Sequence, residues 1–412
     1  MAMKMIAGLD IGNGYVKSSV MGHGTGMTDI DIPSCVVHRI PKDGEVRKVL
    51  PNEIADEMAN LFGMMDVSFD SPLIPDKARF LVGARAVNSG REPMEFDVNA
   101  VKSKAKQPLT AQLALVCIAG KALQDAYVTA GNKLPDKTVS VDVVAAAMAL
   151  PISEFKDMRK EYVKGYMDSV HAVTFHNFEK DIRVEIRFMD VMVNAEGAAA
   201  QYGIVSKGPD MIEAMLQDIR LNGVPLEGYT AADIMNASST LGVDIGEGTV
   251  NFPVFINGKF STDASDTLNK GYGQVMEGAV QALKIYKSRK ELTEFLNNPT
   301  QNPDSIMYKK RYAPVQKVVD AEISEFVDSV ATKFAKVMNQ VGGRIEVIYV
   351  YGGGATPMQR ELFKRLLDIL RNIEGEEIVT PILYMDSRYS RNLNREGLFA
   401  MAEAMAANSG KK

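Results

Sequence analysis

Cysteine and histidine are scarce in this sequence, which limits the kinds of site that it can build. The chain has only two cysteines, Cys35 and Cys117, which lie far apart and outside any C-x-x-C pattern. This arrangement predicts reduced, buried thiols in a cytoplasmic protein. The histidines are at positions 23, 38, 171 and 176. Their spacing is not that of a metal site, so we expect no metal ion held by histidine.

A basic excess and a long apolar run are also missing. The formal net charge is -5, and no run of lysine and arginine stands out. Direct DNA binding, which depends on basic surface, is therefore not expected as the main activity. The apolar stretch Met1–Leu9 has only the length of a strand, which fits neither a signal peptide nor a membrane span. The last residues, Asn408–Lys412, do not resemble an amphipathic anchor, so we expect no membrane partner.

Length and composition predict a soluble globular protein with two sizeable cores. The chain has 412 residues, of which 46% are apolar and 24% are charged. Single hydrophobic cores stop growing at roughly 250 to 300 residues, so a chain of this length is expected to form more than one.

The strongest motif is a glycine-rich stretch that occurs twice. Gly8–Lys17 is Gly-Leu-Asp-Ile-Gly-Asn-Gly-Tyr-Val-Lys, and Gly242–Asn251 is Gly-Val-Asp-Ile-Gly-Glu-Gly-Thr-Val-Asn. Each copy predicts the end of a buried strand, a tight turn and a second strand with alternating apolar residues. Either copy alone is also compatible with an ordinary hairpin turn. The alignment of the two copies favours a shared function.

The residues at these two turns suit a polyphosphate. Glycine at alternate positions permits positive φ and lets backbone N–H groups approach an anion closely. Asp10 and Asp244 end the first strand of each copy, and carboxylates beside phosphates would be repelled. A hydrated Mg²⁺ held by Asp10 and Asp244 is therefore implied. Lys17, at the position of Asn251 in the second copy, adds an ammonium group for the phosphates.

Three further segments carry weaker signals. Asn194–Tyr202 predicts a small-residue helix with Glu196 at its start, where the carboxylate either faces a ligand or only favours the positive end of the helix. Tyr351–Pro357 is Tyr-Gly-Gly-Gly-Ala-Thr-Pro between a buried strand and a helix, which indicates either a ligand-binding turn or a sharp structural turn. Arg395–Ala407 predicts a final helix whose Gly397 and alanines favour close packing.

In this order, the five segments resemble the actin, DnaK-type chaperone and sugar kinase superfamily. Asp10–Lys17 and Asp244–Asn251 are similar to its first and second phosphate loops. Glu196–Tyr202 and Gly397–Met405 are similar to its first and second connecting helices, and Gly352–Pro357 is similar to its adenosine loop.

The resemblance implies an α/β, actin-like fold with two related domains around a nucleotide cleft. Each domain would have a mixed β-sheet flanked by helices. We expect domain I at residues 1–200, with a C-terminal helix of about residues 390–412 packing back on it. Domain II is expected at residues 201–389.

Within the superfamily, the chain looks most like the plasmid-segregating bacterial actins of the ParM or StbA type. The compact length, the opening motif and the segment Phe80–Ala86 carry this likeness, whereas the stretch between Tyr202 and Leu241 is longer and more helical than in that family. The likeness implies Mg²⁺-dependent hydrolysis of ATP, or possibly GTP, in the interdomain cleft, and a polar filament that hydrolysis destabilises. The implied partners are other copies of the chain and a DNA-bound adaptor protein, which links the filament to plasmid DNA.

The resemblance also assigns roles to residues. Glu196 would position or deprotonate the attacking water, and Asp10 and Asp244 would orient the hydrated Mg²⁺. The nucleotide would be bound by Gly12, Asn13, Gly14, Tyr15, Lys17, Gly246, Glu247, Gly248, Thr249, Gly352, Gly353 and Gly354.

Three other functions are compatible with the same motifs. A small-molecule kinase of the sugar kinase type would need an acidic substrate-binding residue in the cleft, and the sequence has no evident sugar-binding motif. A chaperone-like ATPase would normally carry a substrate domain after the ATPase part, and a membrane-tethered division actin would need an amphipathic tail. The expected filament separates the leading interpretation from the first two, and membrane flotation tests the third.

Overall fold

The chain folds as two compact units, Met1–Ser206 with Asn392–Lys412 and Lys207–Arg391. The computed structural model describes residues 2–39, 48–97, 103–221, 228–296, 306, 308–375 and 380–409. Of the predicted tail at Asn408–Lys412, residues 410–412 lie outside the described part.

The first unit alternates strands and helices. Its strands are β1 Met3–Ile11, β2 Tyr15–Gly22, β3 Gly26–Pro33, β4 Val36–His38, β5 Asp66–Asp70, β6 Arg79–Val82, β7 Val139–Leu150, β8 Val170–Phe175, β9 Ile182–Phe188 and β10 Val191–Ala195. Its helices before the second unit are α1 Ile54–Ala59, α2 Ala84–Val87, α3 Pro108–Thr129, α4 Ile152–Met167 and α5 Ala198–Ser206. Short 3₁₀ turns lie at Pro51–Glu53, Leu61–Gly63 and Lys104–Lys106.

These strands form one mixed sheet organised around β7. Within the described residues the sheet has ten strands in the order β3-β2-β1-β7-β9-β8-β5-β6-β4, and β10 also pairs with β7. The sequence of β7 is almost continuously apolar, as expected of a strand that is paired on both sides and buried. It runs parallel to β1 on one side and to β9 and β10 on the other. The carboxyl ends of β1, β7 and β10 therefore meet at one edge of the sheet.

The core of the first unit lies between this sheet and α3. Nearly every residue of α3 from Leu109 to Leu123 is buried, because the helix packs on the sheet with an apolar surface that extends almost all the way round. Its central residues belong to the same hydrophobic cluster as the inward side chains of β1, β7 and β9.

The second unit has a smaller sheet. Its strands are β11 Thr240–Ile245, β12 Val250–Phe252, β13 Val254–Ile256, β14 Lys259–Phe260, β15 Asp266–Leu268, β16 Val347–Tyr351 and β17 Ile382–Tyr384. Its helices are α6 Pro209–Leu221, α7 Ala231–Asn236, α8 Tyr272–Leu283, α9 Arg289–Leu296, α10 Ala313–Val341, α11 Gln359–Glu374 and α12 Ser387–Ser390. A 3₁₀ turn at Thr356–Met358 precedes α11, and a turn of π-helix at Tyr308–Tyr312 precedes α10.

The strand β11 is central to this second sheet. It pairs in parallel with β16 and antiparallel with β12 and β13. Pro253 separates β12 from β13, because proline has no N–H to donate to a sheet ladder. The extended stretch between Tyr202 and Leu241 contains α6 and α7, in agreement with its predicted helical character, while residues 222–227 lie outside the described part.

The last helix, α13 Leu393–Ser409, belongs to the first unit. Ala147 of β7, Ala199 of α5, and Leu398 and Ala402 of α13 form a small buried cluster. A Cβ atom at Gly397 would collide with the carbonyl oxygen of Ala199, and one at Gly203 would lie 2.5 Å from the carbonyl oxygen of Leu393. The two helices therefore approach at their backbones, as the small residues of α13 predict.

Candidate functional site

The first glycine-rich copy forms the hairpin of β1 and β2. Asp10 is buried near the end of β1, directly opposite Lys17 in the antiparallel register, and Lys17 Nζ lies 3.5 Å from Asp10 Oδ2. At the tip, the N–H of Gly12 donates to the carbonyl of Tyr15 at 3.1 Å. Ser34 fixes the tip from outside the hairpin, because its Oγ donates to the carbonyl of Gly12 at 2.7 Å.

The second copy repeats this geometry in the other unit. Asp244 is buried on β11 opposite Asn251, and the N–H of Gly246 donates to the carbonyl of Thr249 at 2.9 Å. The cross-strand pairs Asp10–Lys17 and Asp244–Asn251 are thus equivalent, as are the two tip hydrogen bonds. The exposed Glu247 forms an ion pair of 2.8 Å with Arg289.

At the position of Lys17 in the first hairpin, the second hairpin has the neutral Asn251, whose side chain already forms a hydrogen bond. Asn251 is buried, and its Oδ1 accepts a hydrogen bond of 2.9 Å from Thr267 Oγ1. Only the first hairpin therefore presents an ammonium group beside its aspartate.

The triple-glycine turn lies against the second hairpin. Gly352 follows β16 with a φ of 102°, and a Cβ atom there would lie 2.7 Å from Asp244 Oδ1. The N–H of Gly354 donates to the carbonyl of Ile245 at 2.9 Å. Gly352 and Gly354 are buried, whereas Gly353 is exposed and can reach a ligand. The turn therefore requires glycine for its conformation and for its approach to Asp244.

The buried Tyr351 lies next to Asp244 on the neighbouring strand. Tyr351, at the end of β16, is opposite Asp244 in the parallel register, and a Cβ atom at Gly242 would collide with its hydroxyl. Burial, and then the negative charge of Asp244, raises the pKa of Tyr351 well above its ordinary value. This hydroxyl therefore remains protonated and neutral at physiological pH.

Glu196 does not lie on the predicted helix, and that expectation was wrong. Asn194 and Ala195 belong to β10, which pairs in parallel with β7, and the helix α5 begins only at Ala198. Between them Glu196 donates its N–H to the carbonyl of Leu150 at 2.7 Å, and Gly197 turns the chain with a φ of 81°. The pairing with β7 holds the backbone extended, which overrides the helix propensity of the small residues.

This position brings Glu196 to the edge of the sheet where the first hairpin begins. The strands β1 and β10 flank β7, and neighbouring strands are about 4.8 Å apart. Asp10, near the end of β1, and Glu196, directly after β10, are therefore on strands about 10 Å apart. We call Asp10, Gly12, Asn13, Gly14, Tyr15, Lys17 and Glu196 the first half-site. Asp244, Gly246, Glu247, Gly248, Thr249, Gly352, Gly353 and Gly354 form the second half-site.

Comparisons with known proteins find similarity both in the second unit and over the whole chain. Residues 242–364, which contain the whole second half-site, match the family model described as "Archaeal actin homologue MreB-like, C-terminal". The actin-like protein Alp7A covers 100% of this chain at 15% identity, with 98% of its own length covered and a TM-score of 0.63. The chain has an actin-like fold.

Other solved structures support the same assignment of the actin-like fold. Ta0583, an archaeal actin homologue, is 13% identical over 98% of this chain and 99% of its own, with a TM-score of 0.60. Bacillus thuringiensis ParM with ATP is 18% identical over 98% of this chain and 100% of its own, with a TM-score of 0.58. No curated protein matches the sequence of the chain.

The donor set of the actin-like half-sites suits a hydrated metal ion rather than one enclosed by protein. Among the described residues, no three histidine, cysteine or acidic side chains are gathered as metal ligands. Asp10 and Asp244 each offer one buried carboxylate, and Mg²⁺ keeps most of its waters when one or two carboxylates and a substrate phosphate hold it. Also within the described part, no helix combines the length and the apolar composition that a bilayer span requires.

Sequence reasoning missed the ion-pair partner of Glu196. Lys104 Nζ lies 2.6 Å from Glu196 Oε1, although 92 positions separate the two residues. The basic segment around Lys104 has no motif that distinguishes this lysine from its neighbours Lys102 and Lys106. Only the fold, which places the 3₁₀ turn Lys104–Lys106 against the end of β10, reveals the pair.

Proposed function

We propose that the chain binds a nucleoside triphosphate, ATP in the first instance, together with Mg²⁺ and hydrolyses it. The duplicated hairpin carries this proposal, because each unit presents a glycine tip and a buried aspartate in the same register. Similar structures support it, since Bacillus thuringiensis ParM has been solved with ATP and with AMPPNP. Both half-sites then act on one nucleotide.

The residues of the two half-sites supply the chemistry that such hydrolysis needs. Phosphoryl transfer depends mainly on positioning and on neutralisation of charge. Asp10 and Asp244 would hold a hydrated Mg²⁺ through its waters, and the ion would supply positive charge at the phosphates. Lys17 adds an ammonium, and the backbone amides of the two tips bind phosphate oxygens. Gly352–Gly354 pass along the sugar and the α-phosphate.

Glu196 acts on the water in this proposal. Its backbone is fixed by the end of β10, and its side chain is mostly buried at the same sheet edge as the first hairpin. A carboxylate in that position can orient a water molecule and accept its proton as the water attacks the γ-phosphate.

We further infer that the chain assembles into a polar filament that hydrolysis destabilises, and that the filament moves plasmid DNA through a DNA-bound adaptor. The fold shared with ParM and Alp7A supports self-association as the purpose of the hydrolysis. A head-to-tail contact that does not close on itself gives an open filament. The formal net charge of -5 favours an adaptor over direct contact with DNA.

Light scattering at 90°, pelleting and phosphate release after addition of Mg-ATP test both parts of the proposal. Wild type should scatter and then decay as phosphate appears. Glu196→Ala should form polymer that persists, because loss of a general base slows hydrolysis about 100-fold or more. Glu161→Ala is the control, since Glu161 is an exposed carboxylate that pairs weakly with Lys106 at 3.9 Å.

Two outcomes would contradict the proposal in different ways. If ATP is consumed but nothing scatters or pellets over a wide concentration range, the filament is wrong, and transfer of the phosphate to a small molecule becomes the reaction to seek. If no ATP is bound or consumed, the nucleotide site itself is wrong.

A further inference from the structure

The ion pair between Lys104 and Glu196 is almost withdrawn from solvent. The side chains of Lys104 and Glu196 are 9% and 15% exposed, and the atoms Nζ and Oε1 are 2.6 Å apart. Among the described residues, no donor approaches the second carboxylate oxygen of Glu196 as Lys104 approaches the first. One oxygen is therefore held, and the other is available to a water molecule.

Lys104 is itself held from several directions. The carboxylate of Glu154, on α4, accepts the backbone N–H of Lys104 at 2.7 Å and that of Ala105 at 3.0 Å. Thr110 Oγ1 donates to the carbonyl of Lys104 at 2.7 Å, and the ring of Phe96 lies 5.2 Å from Lys104 Nζ. These hydrogen bonds fix the backbone of the turn from which the side chain of Lys104 reaches Glu196.

We propose that Lys104 is a positioning residue for Glu196, and that Glu154 sets Lys104 in place by binding the start of its 3₁₀ turn. This inference rests on the proposed function, in which Glu196 orients the attacking water. The ammonium holds the carboxylate in one orientation through a charge-assisted hydrogen bond. Lys104 does not need to contact the nucleotide for this role.

The kinetic test uses the full chain and steady-state ATP hydrolysis. Lys104→Met should lower kcat about 10- to 100-fold, the loss expected when a reacting group is misplaced, with KM for ATP nearly unchanged. Lys104→Arg should restore most of the rate, because the charge is kept. Lys106→Met is the matched control, since Lys106 lies two residues away in an exposed pair with Glu161, and it should behave as wild type.

A double variant distinguishes positioning from a general effect on structure. If Lys104 acts through Glu196, Lys104→Met should have no further effect on kcat once Glu196→Gln is present. If Lys104→Met does not fold, Glu154→Gln provides the same test, because it loosens the turn that holds Lys104 and should lower kcat with KM for ATP nearly unchanged.

A measurement without nucleotide tests the pair directly. Acylation of Lys104, followed by mass spectrometry of the nucleotide-free chain, should be slow in wild type and several-fold faster in Glu196→Gln, with Lys106 unchanged. Equal rates for Lys104 in both proteins would overturn the inference. A normal kcat for Lys104→Met beside a low kcat for Glu196→Gln would also overturn it and leave the proposed function intact. Absence of hydrolysis in wild type would instead overturn the proposed function.

Discussion

Asp10 and Asp244 illustrate what can be read from single residues in this chain. Their roles were inferred because a local motif is repeated, and local motifs are visible in the sequence. The structure places both at equivalent positions opposite Lys17 and Asn251. Lys104 and Glu154 were not inferred, because their relation to Glu196 depends on the packing of segments that are distant in sequence and carry no repeat.

Replacement of either aspartate should affect nucleotide binding only when Mg²⁺ is present. We expect Asp10→Asn and Asp244→Asn each to weaken Mg-ATP binding about tenfold or more, about 1.4 kcal/mol, while binding in EDTA changes little. Titration of a fluorescent ATP analogue measures both affinities. Asp168→Asn, at an exposed ion pair with Lys164, is the control. An equal loss with and without Mg²⁺ would show that the aspartates do not act through the metal.

Protonation of His171 should make the first unit less stable in mild acid. His171 is fully buried, its Nε2–H donates to the carbonyl of Tyr166 at 2.9 Å, and its Nδ1 accepts from Ser71 Oγ at 2.7 Å. Burial lowers the pKa of His171, and the hydrogen bond to Tyr166 opposes that shift. Because the unfolded chain binds the proton more readily, this contribution to stability is complete above about pH 6.5 and is lost as the pH falls below it.

Thermal unfolding at pH 7.5 and pH 5.5 tests this prediction. The melting temperature of wild type should fall more between the two pH values than that of His171→Gln, whose amide does not titrate. His23→Gln, in an exposed turn, should keep the wild-type dependence. If His171→Gln and wild type lose the same amount, the buried histidine is not the source of the acid sensitivity.

Helices and strands were largely predictable where the spacing of apolar residues and the position of turn residues indicate the same element. The long helix α10 has a clear apolar stripe and ends at Gly342, whose φ is 61°. The segment before α5 was misread, because its small residues favour a helix while its pairing with β7 requires a strand. In this segment the pairing with β7 outweighs the local helix propensity, and no sequence motif indicates that pairing.

Close packing of α5 and α13 requires a residue without a Cβ atom at position 397. We expect Gly397→Ala to lower the free energy of unfolding by about 1–3 kcal/mol, because the added methyl group meets the carbonyl of Ala199 and the helices must separate. Gly63→Ala, where a Cβ atom meets nothing within 4 Å, is the matched control and should change stability little. Urea denaturation of both variants gives the comparison. A loss of stability no larger at Gly397 than at Gly63 would contradict this packing.

The whole molecule repeats one design in its two units. Each has a mixed sheet in which one strand, β1 in the first unit and β11 in the second, leads into a glycine-tipped hairpin. This repetition was visible in the sequence as two aligned motifs. The fold class was therefore predictable from the sequence, and the structural comparisons confirm it. The partners implied by the resemblance depend on surfaces that no sequence motif marks, so they remain proposals.

The stoichiometry of nucleotide binding tests the central claim most directly. Calorimetric titration of the chain with Mg-AMPPNP, at a concentration too low for assembly, should give one nucleotide per chain. The proposed function has both half-sites act on one nucleotide, so it predicts that Asp10→Asn and Asp244→Asn each weaken that same binding event. Two nucleotides per chain, with each variant removing only one of them, would contradict the shared site, and no measurable binding would contradict a nucleotide site altogether.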